Sequence, residues 1–198
     1  MMVLGSMLAD GAKTSRRAPL DAGKGPWFKY IRRPSSQRMA EQHRSSFTYR
    51  RLSGSELAPA DAELLRAAVA AAGRAYAPYS RFHVGAALRM DDGSVVEGNN
   101  QENASFPAGV CAERTALHHA LAMRPSGRVE AIAVAVPQVS GPMPVSPCGI
   151  CRQALLEQET RQGSPLRLLL GTADGDALEI ASAAELLPLH FDRSFLKP

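Results

Sequence analysis

Val129-Glu130-Ala131-Ile132-Ala133-Val134-Ala135-Val136 is a run of small and β-branched residues without clean polar alternation. That pattern suits a central strand covered on both faces, because a half-solvated strand would alternate. Covering layers are predicted on either side of it in the chain. Cys111–Met123 reads as a helix before it and Cys148 to about Gln162 as a helix after it. Leu166–Leu170 is a second apolar strand. Asp174-Gly175-Asp176 is a turn, Ala177–Ile180 a short strand, and a short helix begins at Ala183 before Pro188.

Working back from the central strand, Val84–Met90 and Ser94–Gly98 flank Asp91-Asp92-Gly93, the pattern of a hairpin. An Ala/Leu helical pattern covers residues 58–76, with Pro59 in the first turn where its missing N–H costs nothing. The predicted order α-β-β-α-β-α-β-β-α alternates helices with strands. It implies an α/β fold with three layers around one sheet.

The chain has 198 residues, 45% hydrophobic and 21% charged, which is ordinary for a globular domain. No apolar run reaches the roughly 18–20 residues that cross a bilayer. The opening Met1–Ala9 is too short and too weakly apolar for an export signal, so a cytoplasmic protein without a membrane partner is expected. The net charge of +4 hides an asymmetry. Residues 1–51 carry 11 Lys/Arg against 3 Asp/Glu, and residues 52–198 carry 12 against 16. An acidic body is a poor platform for phosphates, which argues against nucleic acid as a partner of the core. Residues 1–50 show no apolar period and read as a basic, disordered extension. Their composition suits a binding arm, a targeting segment or a dispensable extension, of which the last is preferred. The catalytic domain is expected over residues 53–192.

The only cysteines are Cys111, Cys148 and Cys151. Three thiols including a Cys-x-x-Cys pair, without a clear export signal, suggest a metal rather than disulfides. All three fall at predicted helix starts, where free N–H groups and the helix dipole favour a thiolate. Three sulfur ligands on Zn²⁺ leave a fourth position open, the pattern of a catalytic ion, with one ion per chain. His118 and His119 lie about two turns beyond Cys111, too far along the helix to join it easily. Position alone leaves His83 and His190 open as ligands. Glu113, in the first turn after Cys111, is placed to move protons beside the metal without binding it. Arg114 and Arg152, each near a ligand cysteine, can offset the negative charge of three thiolates. Either can equally be a solvated surface arginine.

Cys111-Ala112-Glu113 and Pro147-Cys148-Gly149-Ile150-Cys151 resemble the signature of the zinc-dependent nucleoside deaminases. Three further blocks agree: Ala75–Leu88 (AYAPYSRFHVGAAL), Gly98–Ser105 (GNNQENAS) and Glu185–Pro188 (ELLP). Together they span about residues 55–192 and resemble the cytidine deaminases. Cysteine rather than histidine at 111 resembles the small homotetrameric members that act on free nucleosides. The resemblance implies a three-layer α/β/α sandwich on a mixed sheet. It implies hydrolysis of cytidine and deoxycytidine with release of ammonia in pyrimidine salvage, with Zn²⁺ on Cys111, Cys148 and Cys151. It assigns the proton shuttle to Glu113, ribose binding to Asn100 and Glu102, and pyrimidine contacts to Phe82 and the backbone at Ala112. Phe191 matches an aromatic that completes a neighbouring subunit's site. Without the resemblance, Asn100 and Glu102 read as a polar loop and Phe82 as a core aromatic.

The chain departs from the family at His83, where Pro is frequent, at Asn99, where Cys is frequent, and in Pro137–Val145, which holds three prolines. Two other functions share much of the pattern. One is a deaminase of a cytosine-containing antibiotic such as blasticidin S. The other is a zinc-stabilised binding protein without catalysis, for which a retained Glu113 has no use.

Overall fold

A computed structural model describes residues 41–141, 143–173 and 175–196. The chain divides into two units, Met1–His43 and Arg44–Pro198. The expected disorder of the extension falls, for residues 1–40, outside the described residues.

Among its described residues the second unit holds six strands and three α-helices. They are β1 (Arg50–Leu52), α1 (Pro59–Ala72), β2 (Gly85–Met90), β3 (Val95–Asn99), α2 (Ala112–Met123), β4 (Val129–Ala135), α3 (Gly149–Gln162), β5 (Arg167–Gly171) and β6 (Ala177–Ile180). Short 3-10 turns occupy Phe106–Ala108, Ala183–Leu186 and Arg193–Leu196. The sheet order is β1-β6-β5-β4-β2-β3. Among the described strands only the β4–β5 pair is parallel, joined through α3, so the sheet is mixed as the family resemblance implied.

β4 sits at the centre, and its alternate side chains divide two cores. Leu88, Ile132, Leu168 and Ile180 are register partners across β2, β4, β5 and β6. They pack with Ala116 and Leu117 of α2 and Leu155 of α3. The other face is built of smaller groups, including Ala87, Ala131, Ala133 and Ala135, against Leu64, Leu65 and Ala68 of α1. That gives the expected three layers. Small residues let the helices come close. A Cβ on Gly85 would fall on the Ala68 carbonyl of α1, and one on Gly98 would fall on the Ala116 nitrogen of α2. Glycine is therefore required at both contacts.

β1 was not expected. The strand pairs with β6, Arg50 facing Glu179, so the sheet begins within the residues assigned to the extension. Three residues, Arg-Arg-Leu, carry no alternation that a pattern could detect.

On the α1 face the sheet buries charge. Asp61 of α1 accepts from Arg167 Nη2 at 2.7 Å and Nη1 at 2.8 Å, and from both terminal nitrogens of Arg89 at 3.2 Å. Arg167 also reaches Glu179 at 2.9 Å, and Glu179 accepts from Arg50 Nε at 2.6 Å. Each buried carboxylate thus meets at least two guanidinium groups.

Candidate active site

The starts of α2 and α3 meet on the opposite face. Cys111 is the N-cap of α2 and Cys148 the N-cap of α3. Both have extended backbone, and neither side chain caps its own helix. Cys151 follows one turn into α3 and is fully buried, whereas Cys148 is exposed. The sulfurs stand 3.9 Å apart for Cys111 and Cys148 and 3.5 Å for Cys148 and Cys151. All three ligand atoms lie within 4.8 Å of one another. A tetrahedral ion with Zn–S of about 2.3 Å requires sulfurs about 3.8 Å apart, so the donor set fits Zn²⁺. Among the described residues this is the only cluster of three or more His, Cys, Asp or Glu close enough to share an ion. The histidines stand outside it. His118 and His119 are exposed on α2, and His190 bonds the Leu187 carbonyl.

Without an ion the sulfurs share protons. Hydrogen bonding from Cys151, then from Cys148 and Arg114, draws the Cys111 thiol down to about 5, against the opposing effect of burial. Cys151 is pushed up because its proton is held against Cys111, and burial adds to this. A metal takes the place of such shared protons.

Glu113, in the first turn of α2, is 4% exposed. Burial holds its carboxyl above the usual range, and the neighbouring Cys111 charge adds to the rise. A carboxyl whose pKa is raised by burial is suited to exchanging a proton with a substrate. Ala112 is fully buried beside it.

The two arginines differ. Burial opposes but the Cys111 and Cys151 sulfurs raise the Arg114 pKa; its Nη2 donates to the Gly109 carbonyl at 3.4 Å, and its Nε is buried without a partner. Arg152 reaches no sulfur by a hydrogen bond. Its Nε donates to the Pro147 carbonyl at 2.8 Å, and its terminal nitrogens go to the Leu186 carbonyl and Ser146 Oγ. It braces the loop that presents Cys148.

Asn100 and Glu102 follow β3 and organise the segment 79–84. Asn100 Oδ1 accepts from the Val84 N–H at 2.8 Å, and its Nδ2 donates to the Phe82 carbonyl at 2.8 Å. Glu102 accepts from the Tyr79 N–H at 2.9 Å, the Ser80 N–H at 3.3 Å and the Ser80 hydroxyl. The Ser80 hydroxyl bond, followed by these backbone donors, lowers the Glu102 pKa against burial. Phe82 is 37% exposed, so the alternative of a core aromatic does not hold. Phe191 is also exposed, and its ring stacks on Phe195 with centroids 5.8 Å apart.

Sequence reasoning missed Ser80, Arg81 and Gln138. Arg81 has a φ of 57°, a left-handed conformation costing a non-glycine residue about 1–2 kcal/mol. Its carbonyl accepts from Gln138 Nε2 at 3.0 Å. The proline-rich stretch around Gln138 was a visible departure, but a single glutamine in a loop gives no signal of its partner.

A family model described as the cytidine and deoxycytidylate deaminase zinc-binding region matches residues 59–163. The cytidine deaminase of Halalkalibacterium halodurans is 46% identical over 128 residues, 65% of this chain and 91% of that protein. That of Sporosarcina psychrophila is 42% identical over 123 residues, 62% and 85% of the two chains. Among solved structures, the cytidine deaminase of Burkholderia pseudomallei superposes with a TM-score of 0.57 at 44% identity, covering 65% of this chain and 97% of that one. The Mycobacterium leprae cytidine deaminase gives 0.51 at 36% identity, covering 67% and 99%.

Proposed function

The chain belongs to the cytidine and deoxycytidylate deaminase family, and from that membership we propose that it hydrolyses cytidine and deoxycytidine to uridine and deoxyuridine with release of ammonia. The observation that carries this reading is the buried Glu113 beside three sulfurs at the converging starts of α2 and α3.

Cys111, Cys148 and Cys151 would hold one Zn²⁺ per chain, which when bound supplies a water of lowered pKa as the nucleophile. Glu113 takes a proton from the attacking water and delivers it to N3 of the pyrimidine. Glu113 then takes the remaining proton from the new C4 hydroxyl and passes it to the amine. The C4–N bond breaks as the C4 carbonyl forms, so cytidine and water become uridine and ammonia. The raised pKa of Glu113 suits both transfers, because burial makes its carboxyl a better proton acceptor than an exposed carboxylate. Arg114, whose pKa the Cys111 and Cys151 sulfurs raise, balances the thiolate charge. Arg152 acts at one remove by bracing Pro147 ahead of Cys148.

Asn100 and Glu102 hold the segment around Phe82 and retain acceptor capacity for a ribose hydroxyl. Phe82 and the backbone at Ala112 flank the base. Phe191 is exposed and available to a neighbouring copy, in keeping with a homotetramer. No helix among the described residues is long and apolar enough to cross a membrane. Three free thiols suit the reducing cytoplasm.

Ammonia release from cytidine, deoxycytidine and 3′-deoxycytidine tests the substrate. Turnover of the first two with a weakened third supports ribose recognition. Equal rates on all three would remove that role from Asn100 and Glu102, and turnover of none would sink the nucleoside reading.

A further inference from the structure

The segment Tyr79–Val84 carries Phe82 and is fastened at nearly every residue. Glu102 holds the N–H groups of Tyr79 and Ser80, and Asn100 holds Phe82 and Val84. Between these anchors stands Arg81, in a left-handed conformation that glycine adopts freely and arginine does not. Its N–H closes a turn onto the Ala77 carbonyl at 3.0 Å, and its carbonyl takes the Gln138 amide at 3.0 Å. Packing gives the turn little help. Tyr79, Ser80, Arg81 and Phe82 are all exposed, and an open surface depression lined by Val69, Ala72, Gly73, His83, Pro137 and Gln138 runs beside the Gln138 bond.

Gln138 belongs to the connection that leaves β4 and leads to Cys148. One hydrogen bond therefore ties the lead-in to the sulfur cluster to the segment that presents Phe82. We infer that Gln138 is a positioning residue for the nucleoside: by donating to the Arg81 carbonyl it fixes the turn that aims Phe82 and the Asn100 and Glu102 side chains. The inference rests on the deaminase reading and extends it to a residue that touches neither substrate nor metal.

The donor is what matters. Leucine and glutamate at 138 keep much of the shape and lose the N–H, whereas lysine keeps a donor on a flexible stem. Steady-state kinetics on cytidine are measured for the wild type, Gln138→Leu, Gln138→Glu and Gln138→Lys, with bound zinc and thermal midpoint for each. Gln138→Leu and Gln138→Glu are expected to raise KM about five- to tenfold, the size of one lost hydrogen bond. Their kcat should stay within about twofold, because Glu113 and the sulfurs are untouched. Gln138→Lys should return KM to near the wild-type value, and zinc content and midpoint should not move. In Gln138→Leu the Val84 amide, bonded to Asn100, should exchange faster with solvent. An unchanged KM and unchanged Val84 exchange in Gln138→Leu would overturn the role of Gln138 while leaving the deaminase reading intact. Loss of kcat together with zinc would replace it by a merely structural role. A wild type that releases no ammonia from cytidine would remove both.

Discussion

Asp61 and Glu113 are both buried carboxylates, 7% and 4% exposed, on opposite faces of the same sheet. Their surroundings drive them in opposite directions. Asp61 receives two arginines, and hydrogen bonding from Arg167, with Arg89 assisting, holds its carboxyl below the usual range despite burial. Arg167 in turn is raised by Asp61 and Glu179. Glu113 lies beside a cluster that gathers negative charge, and burial lifts it. A carboxylate locked in its charged form by guanidinium groups is a fastener. One whose proton is loosely decided is a reagent. Burial alone distinguishes neither, and the partners decide.

The largest effect should follow from disturbing the reagent's side. Cys151→Ala removes the buried sulfur, so metal content by elemental analysis and turnover should fall together below detection. Retained zinc with retained turnover would show that the cluster is not the working centre. On the fastener's side, Asp61→Ala leaves Arg167 and Arg89 facing an emptied site. Breaking such a pair costs about 3–5 kcal/mol, readable in urea denaturation. The turnover of the molecules still folded should be near wild type. A large loss of kcat in that fraction would erase the contrast.

Acid sharpens the comparison. Because the folded pKa of Asp61 is depressed, its stabilisation is present above the unfolded value of about 3.9 and lost as pH falls through the lower folded value. The difference in thermal midpoint between wild type and Asp61→Ala should therefore shrink as pH falls below about 4. In the metal-free protein Glu113 acts with the opposite sign. Its folded pKa is raised, so its charged form costs stability as pH rises from below the unfolded value of about 4.3 through the folded one. Removing its charge with Glu113→Gln should thus stabilise the metal-free chain at neutral pH and do least in acid. The smallest effect is expected at the edge of the ion network. The Arg50 side chain is 69% exposed, so Arg50→Ala should cost about 0–1 kcal/mol.

The two faces were not equally readable from the sequence. The sulfur side was legible because its chemistry is concentrated in two short motifs at helix starts. The local patterns around β4 also gave the layer order. The fastener side was not, because Asp61, Arg89, Arg167 and Glu179 lie on four elements and meet only through register and α1 packing. β1 escaped for a related reason, since an edge strand of three residues is defined by its pairing with β6. In the site, residue identity located Asn100 and Glu102, but their bonds to the backbone of 79–84 depend on how the loops cross. The bracing of Pro147 by Arg152 and the Gln138–Arg81 bond were hidden in the same way.

The contrast between reagent and fastener is tested most directly by ammonia release from cytidine with Glu113→Gln beside wild type, zinc content measured on the same samples. Expected is a loss of roughly 10²–10⁴ in kcat, the range of a general acid–base group, with zinc and fold retained. Near-wild-type turnover in Glu113→Gln would show that the proton moves through another group and would contradict the assignment.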